Sequence, residues 1–489
     1  MSIANALNNA ISGLNATGKL AQITSGNLAN ALTDGYGRQT VNLSSTVLGG
    51  FGAGVSVTGV FRASSPELTS ARRVADGDLA GGQRELDSLV RLERSIGVAG
   101  GSDTLATRVI AFEASLRQLA ETPELAPRQA AAAATASDLA AKLNQISSES
   151  ARVRQTADAE IVRQVTEVNG ALSKIAKLNR QIQIFSATGR ETANLVDQRE
   201  QLIDRVAAIV PIREHARNDG VIELTTAQGL SLVDTRAQEI EFTPTPIITA
   251  PMRYDSGAGA LSGLTLNGVN ITPGGPGSQA IAGGGMAAQF AIRDNIATQV
   301  SDRADALAAD LIGRLAASGV DPTLLPGEPG LFTDNGGVYD PLTLTGLAGR
   351  IQLNAAVDPD AGGNPALFRD GLGAITPGPA VNGDLPRALL DALTATIGVV
   401  TVPGLSPALS FAGTAAGLVE LTAFDRVSAE VGVASFSSTR ETLASAEAHA
   451  IGVNTDAELQ FLIQIEQAYA ANVQVIQAAS RMLDRILEI

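Results

Sequence analysis

The sequence predicts a mainly α-helical protein with inserted β-rich segments, an α+β chain whose two ends are helical. Three observations indicate this: a seven-residue apolar repeat near each end, a long helical stretch in the middle, and two stretches rich in Gly and Pro without a helical pattern. At 489 residues the chain is longer than one hydrophobic core usually supports, so we expect about three domains.

The first segment, residues 1–45, begins with an amphipathic helix. Its apolar residues fall seven apart, at Leu7, Leu14, Ala21 and Leu28. A strict seven-residue repeat keeps an apolar stripe on one side of two helices that supercoil around each other. We therefore expect this helix to pair with the C-terminus of the same chain or with a neighbouring subunit.

Residues 46–210 are predicted to form a linker with a hairpin and then a long helical domain. The stretch from Pro127 to Phe185 has no further proline and reads as one very long helix or as two joined near Gly170. Asn179 stands at a seam position, where a polar residue can fix helix register. The apolar seam consists of Ile161, Val165, Val168, Leu172, Ile175 and Ile182.

The pattern changes at Pro211, and the remaining chain alternates between strand-like and helical segments. We predict a β-rich segment at 211–284, a helix returning to the helical domain at 285–317, a β-rich insertion containing Gly and Pro at 318–419, a helix of the central domain at 420–450 and a coiled-coil helix at 451–489. This order describes a chain that goes out and returns, so we expect the first and last segments to lie side by side.

Composition excludes several classes of function. The chain carries 35 basic and 50 acidic residues, a net charge of −15, and no basic run that could follow a phosphate backbone, so no nucleic acid partner is expected. Without cysteine there is no disulfide, thiol nucleophile or cysteine-bound metal. Residues 392–419 are uncharged, but Pro403, Pro407 and several glycines would break a helix, so we expect no membrane insertion.

Candidate catalytic, metal and cofactor sites are weak. The only histidines, His215 and His449, lie in segments that read as surface, and no Gly-x-Ser-x-Gly elbow is present. Residues 49–54 are glycine-rich but precede a strand pattern rather than a helix, which indicates a turn into a hairpin. Residues 358–363 begin like a calcium loop, but Arg369 stands where Glu is required. We predict no enzyme, no metal and no cofactor.

Residues 27–39, here called the signature segment, carry a motif. They read Asn-Leu-Ala-Asn-Ala-Leu-Thr-Asp-Gly-Tyr-Gly-Arg-Gln, which resembles the N-terminal signature of the flagellar rod, hook and hook-associated axial proteins. The departures are Leu28, Asp34 and Gly37. The matching residues, for which the resemblance implies a role in assembly, are Asn27, Asn30, Thr33, Gly35, Tyr36, Arg38 and Gln39.

The chain from Gly452 to Leu483 resembles the second, C-terminal signature of the same family. Four of its apolar residues repeat every seven positions, as a helical seam requires. The candidate residues for assembly or for binding a chaperone are Leu462, Gln467, Tyr469, Asn472, Ile476 and Leu483. Both signatures in one chain are specific to this family of axial proteins.

The resemblance implies a structural subunit that joins the flagellar hook to the filament and is required for filament assembly. Arg38-Gln39, residues 52–60 and the long helical middle point to this junction member. The implied partners are copies of the chain in a ring, the hook protein, the next hook-associated protein toward the filament and a small cytoplasmic export chaperone at the C-terminus. The implied location is the extracellular flagellum, reached through the flagellar type III apparatus.

Three alternatives remain open at this stage. The chain could be another axial subunit, from the hook or the distal rod. It could be a cytoplasmic coiled-coil scaffold that works through its central seam. It could be an enzyme, because some axial proteins are fused to hydrolase domains, although residues 211–419 offer no well-placed pair of carboxylates for glycan cleavage.

Overall fold

The computed structural model describes residues 3–33, 35–48, 51–217, 220–254, 261–275, 279–317 and 319–487. The chain is mainly helical with small separate sheets, which confirms the predicted fold class. It forms two compact units. Unit 1 comprises Met1–Leu79, Glu167–Glu239 and Phe436–Ile489, and unit 2 comprises Ala80–Thr166 and Ile240–Ser435.

The helices account for most of the described chain. They are α1 Ile3–Ala29, α2 Pro66–Ile96, α3 Leu105–Glu121, α4 Ala126–Ala187, α5 Ala193–Ile209, α6 Gly284–Ala291, α7 Ala297–Leu315, α8 Leu367–Asp370, α9 Asp384–Thr394, α10 Phe411–Ile451 and α11 Thr455–Leu487. A π-helix, Ile292–Ile296, joins α6 to α7. The predicted long helix is continuous in α4, and Gly170 does not interrupt it.

The strands form four small antiparallel sheets. They are β1 Gln39–Leu48, β2 Phe51–Arg62, β3 Ile212–Ala216, β4 Ile222–Thr226, β5 Ser231–Val233, β6 Ile240–Glu241, β7 Thr265–Leu266, β8 Val269–Asn270, β9 Phe332–Asp334 and β10 Ile351–Leu353. The pairings are β1–β2, β3–β4–β5, β6–β7–β8 and β9–β10. Of the glycine-rich turn predicted at 49–54, Gly49 and Gly50 lie outside the described residues, and the remaining glycines are in β2.

In unit 1 the predicted α4 seam is buried. Helix α4 is divided between the units after Thr166. Val168, Leu172, Ile175 and Ile182 of the seam are buried in unit 1, and Ile161 is buried in unit 2. Asn179 is also buried, but its amide binds a strand: it donates to the Ile222 carbonyl at 2.8 Å and accepts from the Arg199 guanidinium at 2.9 Å. Its side chain therefore anchors the start of β4 on the helix.

Unit 2 contains one large apolar core. Residues from α3, α4 and α7 supply much of it, with Leu119, Leu143 and Leu311 fully buried. Helix α3 begins at a capping box, in which the hydroxyl of Thr104 accepts from the Thr107 amide. The core fixes these helices because their apolar faces are removed from water together.

Residues 318–419 have a lower strand content than the sequence pattern predicts. Ser318 lies outside the described residues. The others contain β9, β10, short 3₁₀ turns, helices α8 and α9 and the start of α10 at Phe411, nine residues before the predicted start of that helix. Gly and Pro rightly predicted turns, but turns do not require strands on either side. The backbone of this region makes most of its hydrogen bonds outside strands.

Buried charges on α7 supply part of the hydrogen bonds of the loop that follows α9. Asp310 accepts from the amides of Val399 and Val400 at 2.6 and 3.1 Å. Arg314 pairs with Asp310 at 2.7 Å and donates to carbonyls of the same loop, including that of Ala395 at 2.7 Å. Buried backbone amides and carbonyls need hydrogen-bond partners. In this loop, side chains rather than a neighbouring strand bind these groups.

A second set of buried charges holds the segment after β6. The Arg293 guanidinium, in the π-helix, donates to Asp158 of α4 at 2.8 Å. The other carboxylate oxygen of Asp158 accepts from the Thr245 amide at 2.9 Å. Arg154 donates to the carbonyls of Arg293, Thr249 and Met252. These groups are buried together, so each charge keeps a partner.

Candidate assembly site

Helices α1 and α11 pack against each other in opposite directions within unit 1. Asn27, near the end of α1, contacts Glu458 at the start of α11, while Gly13 lies against Asn472 further along. A Cβ atom at Gly13 would be 2.7 Å from the Asn472 Oδ1 atom, so Asn472 occupies the space that glycine leaves. The two terminal segments therefore meet within one chain.

The α1 side of this seam differs from the predicted stripe. Leu7, Leu14, Ala21 and Leu28 are only half-buried. The fully buried residues lie elsewhere on the helix and are mostly small or polar: Ala10, Ala16, Thr17, Ile23, Thr24 and Asn27. The seven-residue repeat is present, but its buried members Ala10, Thr17 and Thr24 are offset by three positions from the leucines, where the apolar signal is weak.

On α11 two seven-residue series form the seam. The predicted series contains Leu462 and Ile476, which are half-buried, and Tyr469 and Leu483, which are exposed. The second series is Glu458, Ile465, Asn472 and Ala479, which the apolar pattern does not reveal because two of its members are polar. All of its members are buried except the half-buried Asn472. Gln467 is exposed.

Asn27 is the centre of the signature segment. Its Oδ1 atom accepts from the Tyr36 hydroxyl and from the Gln39 amide, both at 2.9 Å. Its Nδ2 group donates to the Gln39 carbonyl at 2.8 Å and to Glu458 Oε2 at 3.3 Å. An asparagine amide offers two donors and two acceptor positions, so all of them are used.

Glu458 accepts hydrogen bonds from two residues of the signature segment, Asn27 and Arg38. Its side chain is 1% exposed, and its Oε1 atom accepts from Arg38 Nε at 2.6 Å. The Arg38 backbone amide donates to the Ile451 carbonyl at the end of α10, at 3.0 Å. The signature segment thus joins α1, α10 and α11.

The other signature residues shape the turn after α1. Asn30 closes the helix by donating to the Gly26 carbonyl at 2.9 Å, and exposed Thr33 donates to the Asn30 side chain at 3.3 Å. Gly35 has φ of 75°, which favours glycine. Asp34 lies outside the described residues. Burial and the nearby carboxylates of Asp197 and Glu458 raise the pKa of Tyr36, which keeps its hydroxyl protonated as a donor.

The departure at Gly37 has a local partner. Gly37 is buried, and a Cβ atom there would lie 2.5 Å from Arg62 Nε. Arg62 pairs with Asp197 of α5 at 2.5 Å and donates to the Gly35 carbonyl at 3.0 Å. The arginine therefore fills the space that a serine side chain would need.

Apolar side chains remain exposed on α11 outside the seam. Ile463 is 55% and Ile486 59% exposed. The full set, including exposed members of the predicted seam, is Leu459, Ile463, Tyr469, Val475, Met482, Leu483 and Ile486. A single exposed apolar residue is ordinary, but α11 has 33 residues and exposes seven of them, which makes it a candidate for association.

The residues set aside as catalytic candidates lie at the surface. His215 in β3 and His449 in α10 are both exposed. Among the described residues, no cluster of three His, Asp or Glu side chains is arranged to hold a metal ion. None of the described helices combines the length and apolar character that crossing a membrane demands.

Comparison with protein families matches two parts of the chain. Residues 89–322 match the family described as the flagellar hook-associated protein FlgK helical domain. Residues 450–489 match the family described as the flagellar basal body rod FlgEFG protein C-terminal. The second match covers α11, and the first covers the long helices and the segments between them.

Individual relatives carry one name. Flagellar hook-associated protein 1 of Escherichia coli K12 is 28% identical over 49% of this chain and 45% of its own length. The corresponding figures are 28%, 52% and 47% for the Salmonella typhimurium protein, and 26%, 50% and 52% for that of Bacillus subtilis. The chain therefore matches about half the length of these relatives.

A solved structure is also similar, that of the flagellar hook junction protein FlgK from Burkholderia pseudomallei. It is 20% identical with a TM-score of 0.43, over 56% of this chain and 47% of that one. The sequence matches to the helical domain and to the named relatives agree with the two terminal signatures. The chain is therefore similar to flagellar hook-associated protein 1, a structural flagellar protein rather than an enzyme.

Proposed function

We propose that this chain is the subunit that joins the flagellar hook to the filament, exported through the type III apparatus and required for filament assembly. Its partners are further copies of itself in a ring, the hook protein and the next hook-associated protein toward the filament. Similarity to flagellar hook-associated protein 1 supports the flagellar role. The observation that carries an assembly function is the set of seven exposed apolar residues on α11.

The α1–α11 pair is suited to association because it leaves apolar surface uncovered after pairing. Burying one Leu or Ile side chain contributes about 1.5 to 3 kcal/mol. Several such residues buried together outweigh the cost of ordering the subunits, whereas one alone does not. Assembly is therefore cooperative, with each neighbour covering part of the next subunit's α11.

Two rivals are less well supported. A hook or distal rod subunit would also match at residues 450–489, so this match does not distinguish it from a junction subunit. The match of residues 89–322 to a hook-associated helical domain favours the junction role. A cytoplasmic scaffold would need an accessible central seam. Val168, Leu172 and Ile175 of α4 are buried within unit 1, so this seam has no free face.

An export chaperone would bind within residues 450–489. An unassembled subunit in the cytoplasm exposes Leu459, Ile463 and Met482, which favours aggregation. Leu459 and Ile463 are four residues apart, a spacing that a groove can read as helical anchors. A chain ending at Ala450 should bind the chaperone far more weakly than the full chain.

The proposal is tested by changing the exposed face of α11 without touching its seam. In a strain lacking the native gene, Ile463→Gln with Met482→Gln should be secreted and fold normally but fail to assemble, leaving hooks that shed flagellin into the medium. Electron microscopy of hooks, immunoblots of the medium and thermal unfolding of the purified subunit give the three readouts.

The matched control is Ile375→Gln, which changes an equally apolar and almost fully exposed residue of unit 2. This strain should swim normally. Normal filaments in the α11 double variant would refute the assembly role of this face. A hookless strain after deletion of the gene would instead point to a hook or rod subunit.

A further inference from the structure

The buried face of α1 offers few large residues that would fix how far one helix slides along the other. Its buried seven-residue series is Ala10, Thr17 and Thr24, three small residues. The fit of Asn472 against Gly13 favours the observed register, but it is the contact of a single flexible side chain. Small seams discriminate poorly between registers, because register normally depends on large residues in matching holes or on a buried polar residue.

The buried polar residues are concentrated at one end of the pair. Glu458 is a carboxylate in a seam series that otherwise holds Ile465, Asn472 and Ala479. A buried carboxylate is strongly unfavourable without partners. Its charged partner is Arg38, and Asn27 donates a further hydrogen bond. Both partners belong to the signature segment, so Glu458 is stabilised in one position along α1.

We propose that the signature segment acts inside the subunit as a latch, in which Asn27 and Arg38 hold the buried carboxylate of Glu458 and thereby set the register of α1 against α11. Any slipped register would take Glu458 away from Asn27 and leave Arg38 without its carboxylate. Because every hydrogen-bonding position of Asn27 is used, the latch is complete only in this register.

Register decides where the outward residues of α11 lie. A slip of one seven-residue repeat keeps the same face outward but moves it by about 10 Å along α1, so exposed residues such as Ile463 would be displaced from where a neighbouring chain meets them. The motif of residues 27–39 thus acts through α11 rather than as a contact surface of its own. This inference concerns one isolated subunit and stands independently of the junction role.

Cysteine cross-linking tests the register directly, because the sequence contains no cysteine. Gly13→Cys with Asn472→Cys reports the native register, since a Cβ atom at residue 13 lies 3.0 Å from Asn472 Cγ. Gly13→Cys with Ala479→Cys reports a slip of one repeat along α11. Each cysteine pair is introduced into three full-length backgrounds: the unchanged chain, here called the parent, the Glu458→Ala variant, and the double variant Arg38→Met with Glu458→Met. Each purified protein is then oxidised as a dilute monomer.

In the parent the native pair should cross-link and the slipped pair should not. In both latch variants we expect the ratio of slipped to native cross-links to rise at least about tenfold, which corresponds to about 1.4 kcal/mol of register preference. The double methionine variant separates register from stability, since replacing both charges by apolar residues leaves folding largely intact. If it unfolds at the parent's temperature and keeps the parent's ratio, the seam sets the register and the latch is refuted.

Discussion

Two regions of this chain carry the same seven-residue pattern and differ in its use. In α4, Val168, Leu172 and Ile175 are fully or almost fully buried within their own unit. In α11, Tyr469 and Leu483 of an equally regular series remain exposed. Periodicity therefore identifies an apolar helix face, while the surrounding chain decides whether that face is covered from within or left for a partner.

The difference also shows in what each region buries opposite its apolar residues. The α4 seam contains Asn179, which binds the start of β4, whereas α11 lies against Gly13 and Asn27 of α1 and its buried Glu458 accepts from Arg38. The first arrangement serves stability and the second allows association. Substitutions in the helical core should therefore act on unfolding, and substitutions on α11 should act on assembly.

The largest effect is expected in the core of unit 2. Leu143→Ala removes a fully buried side chain and leaves a cavity, so it should lower the free energy of unfolding by about 2 to 5 kcal/mol. Ile463→Ala on α11 should change it by less than about 0.5 kcal/mol, since that residue is exposed. Denaturant titration of both purified subunits measures this, and equal losses would erase the contrast between the regions.

A pH-dependent effect sharpens the description of unit 2. Burial raises the pKa of Asp305 from 3.8 to about 6, although its carboxylate accepts from the amides of Gly346 and Ala348. Because the folded pKa exceeds the unfolded one, this group's stabilising contribution is complete below pH 3.8 and lost as pH rises through about 6.

The shift of Asp305 corresponds to about 3 kcal/mol between acidic and neutral pH. Asp305→Asn removes this titration, so the stability of the parent relative to the variant should fall as pH is raised from 4 to 7. Urea unfolding across that range provides the measurement. Parallel profiles for the two proteins would show that Asp305 keeps an ordinary pKa.

Ile476→Asp tests the α11 side within its half-buried seam. A carboxylate there loses water without gaining a cation, which should weaken the helix pair by on the order of 2 kcal/mol. The subunit should still be secreted, while hooks lack filaments and motility is lost. Normal swimming by this strain would mean that the seam tolerates a charge and that assembly relies on other surfaces.

The smallest effect is expected for His215→Ala. The residue is exposed in β3, so its loss should change the free energy of unfolding by less than about 0.5 kcal/mol and leave motility unchanged. Swimming assays of the complemented strain are sufficient. Loss of motility with normal folding would reopen a catalytic or metal-binding role for this histidine.

The helices were the most predictable part of the fold. The stretch from Pro127 to Phe185 predicted α4 to within two residues at each end, because a proline-free sequence with a sustained repeat has few alternatives. The loops of residues 318–419 were less predictable. The loop after α9 is held by Asp310 and Arg314, which are far away in sequence, and no local pattern reveals such a pairing.

The candidate site was predictable on one side only. Resemblance singled out Asn27 and Arg38, but not Glu458, more than 400 residues later. A signal for Glu458 existed, since it stands seven residues before Ile465 and fourteen before Asn472, where a carboxylate is out of place in an apolar seam. An acidic residue in the first turn of a helix is usually explained by its favourable interaction with the helix dipole, so the position of Glu458 did not stand out.

The hydrogen bonds that Asp310 and Arg314 make with the loop after α9 have a consequence for aggregation. Free strand edges are templates on which a neighbouring chain can add its own strand, a hazard that grows when copies stand side by side. In the described part of residues 318–419 the strands β9 and β10 are three residues each, so little edge is offered. Loss of Asp310 would release the amides of Val399 and Val400, and β-type aggregation is the failure that such a change invites.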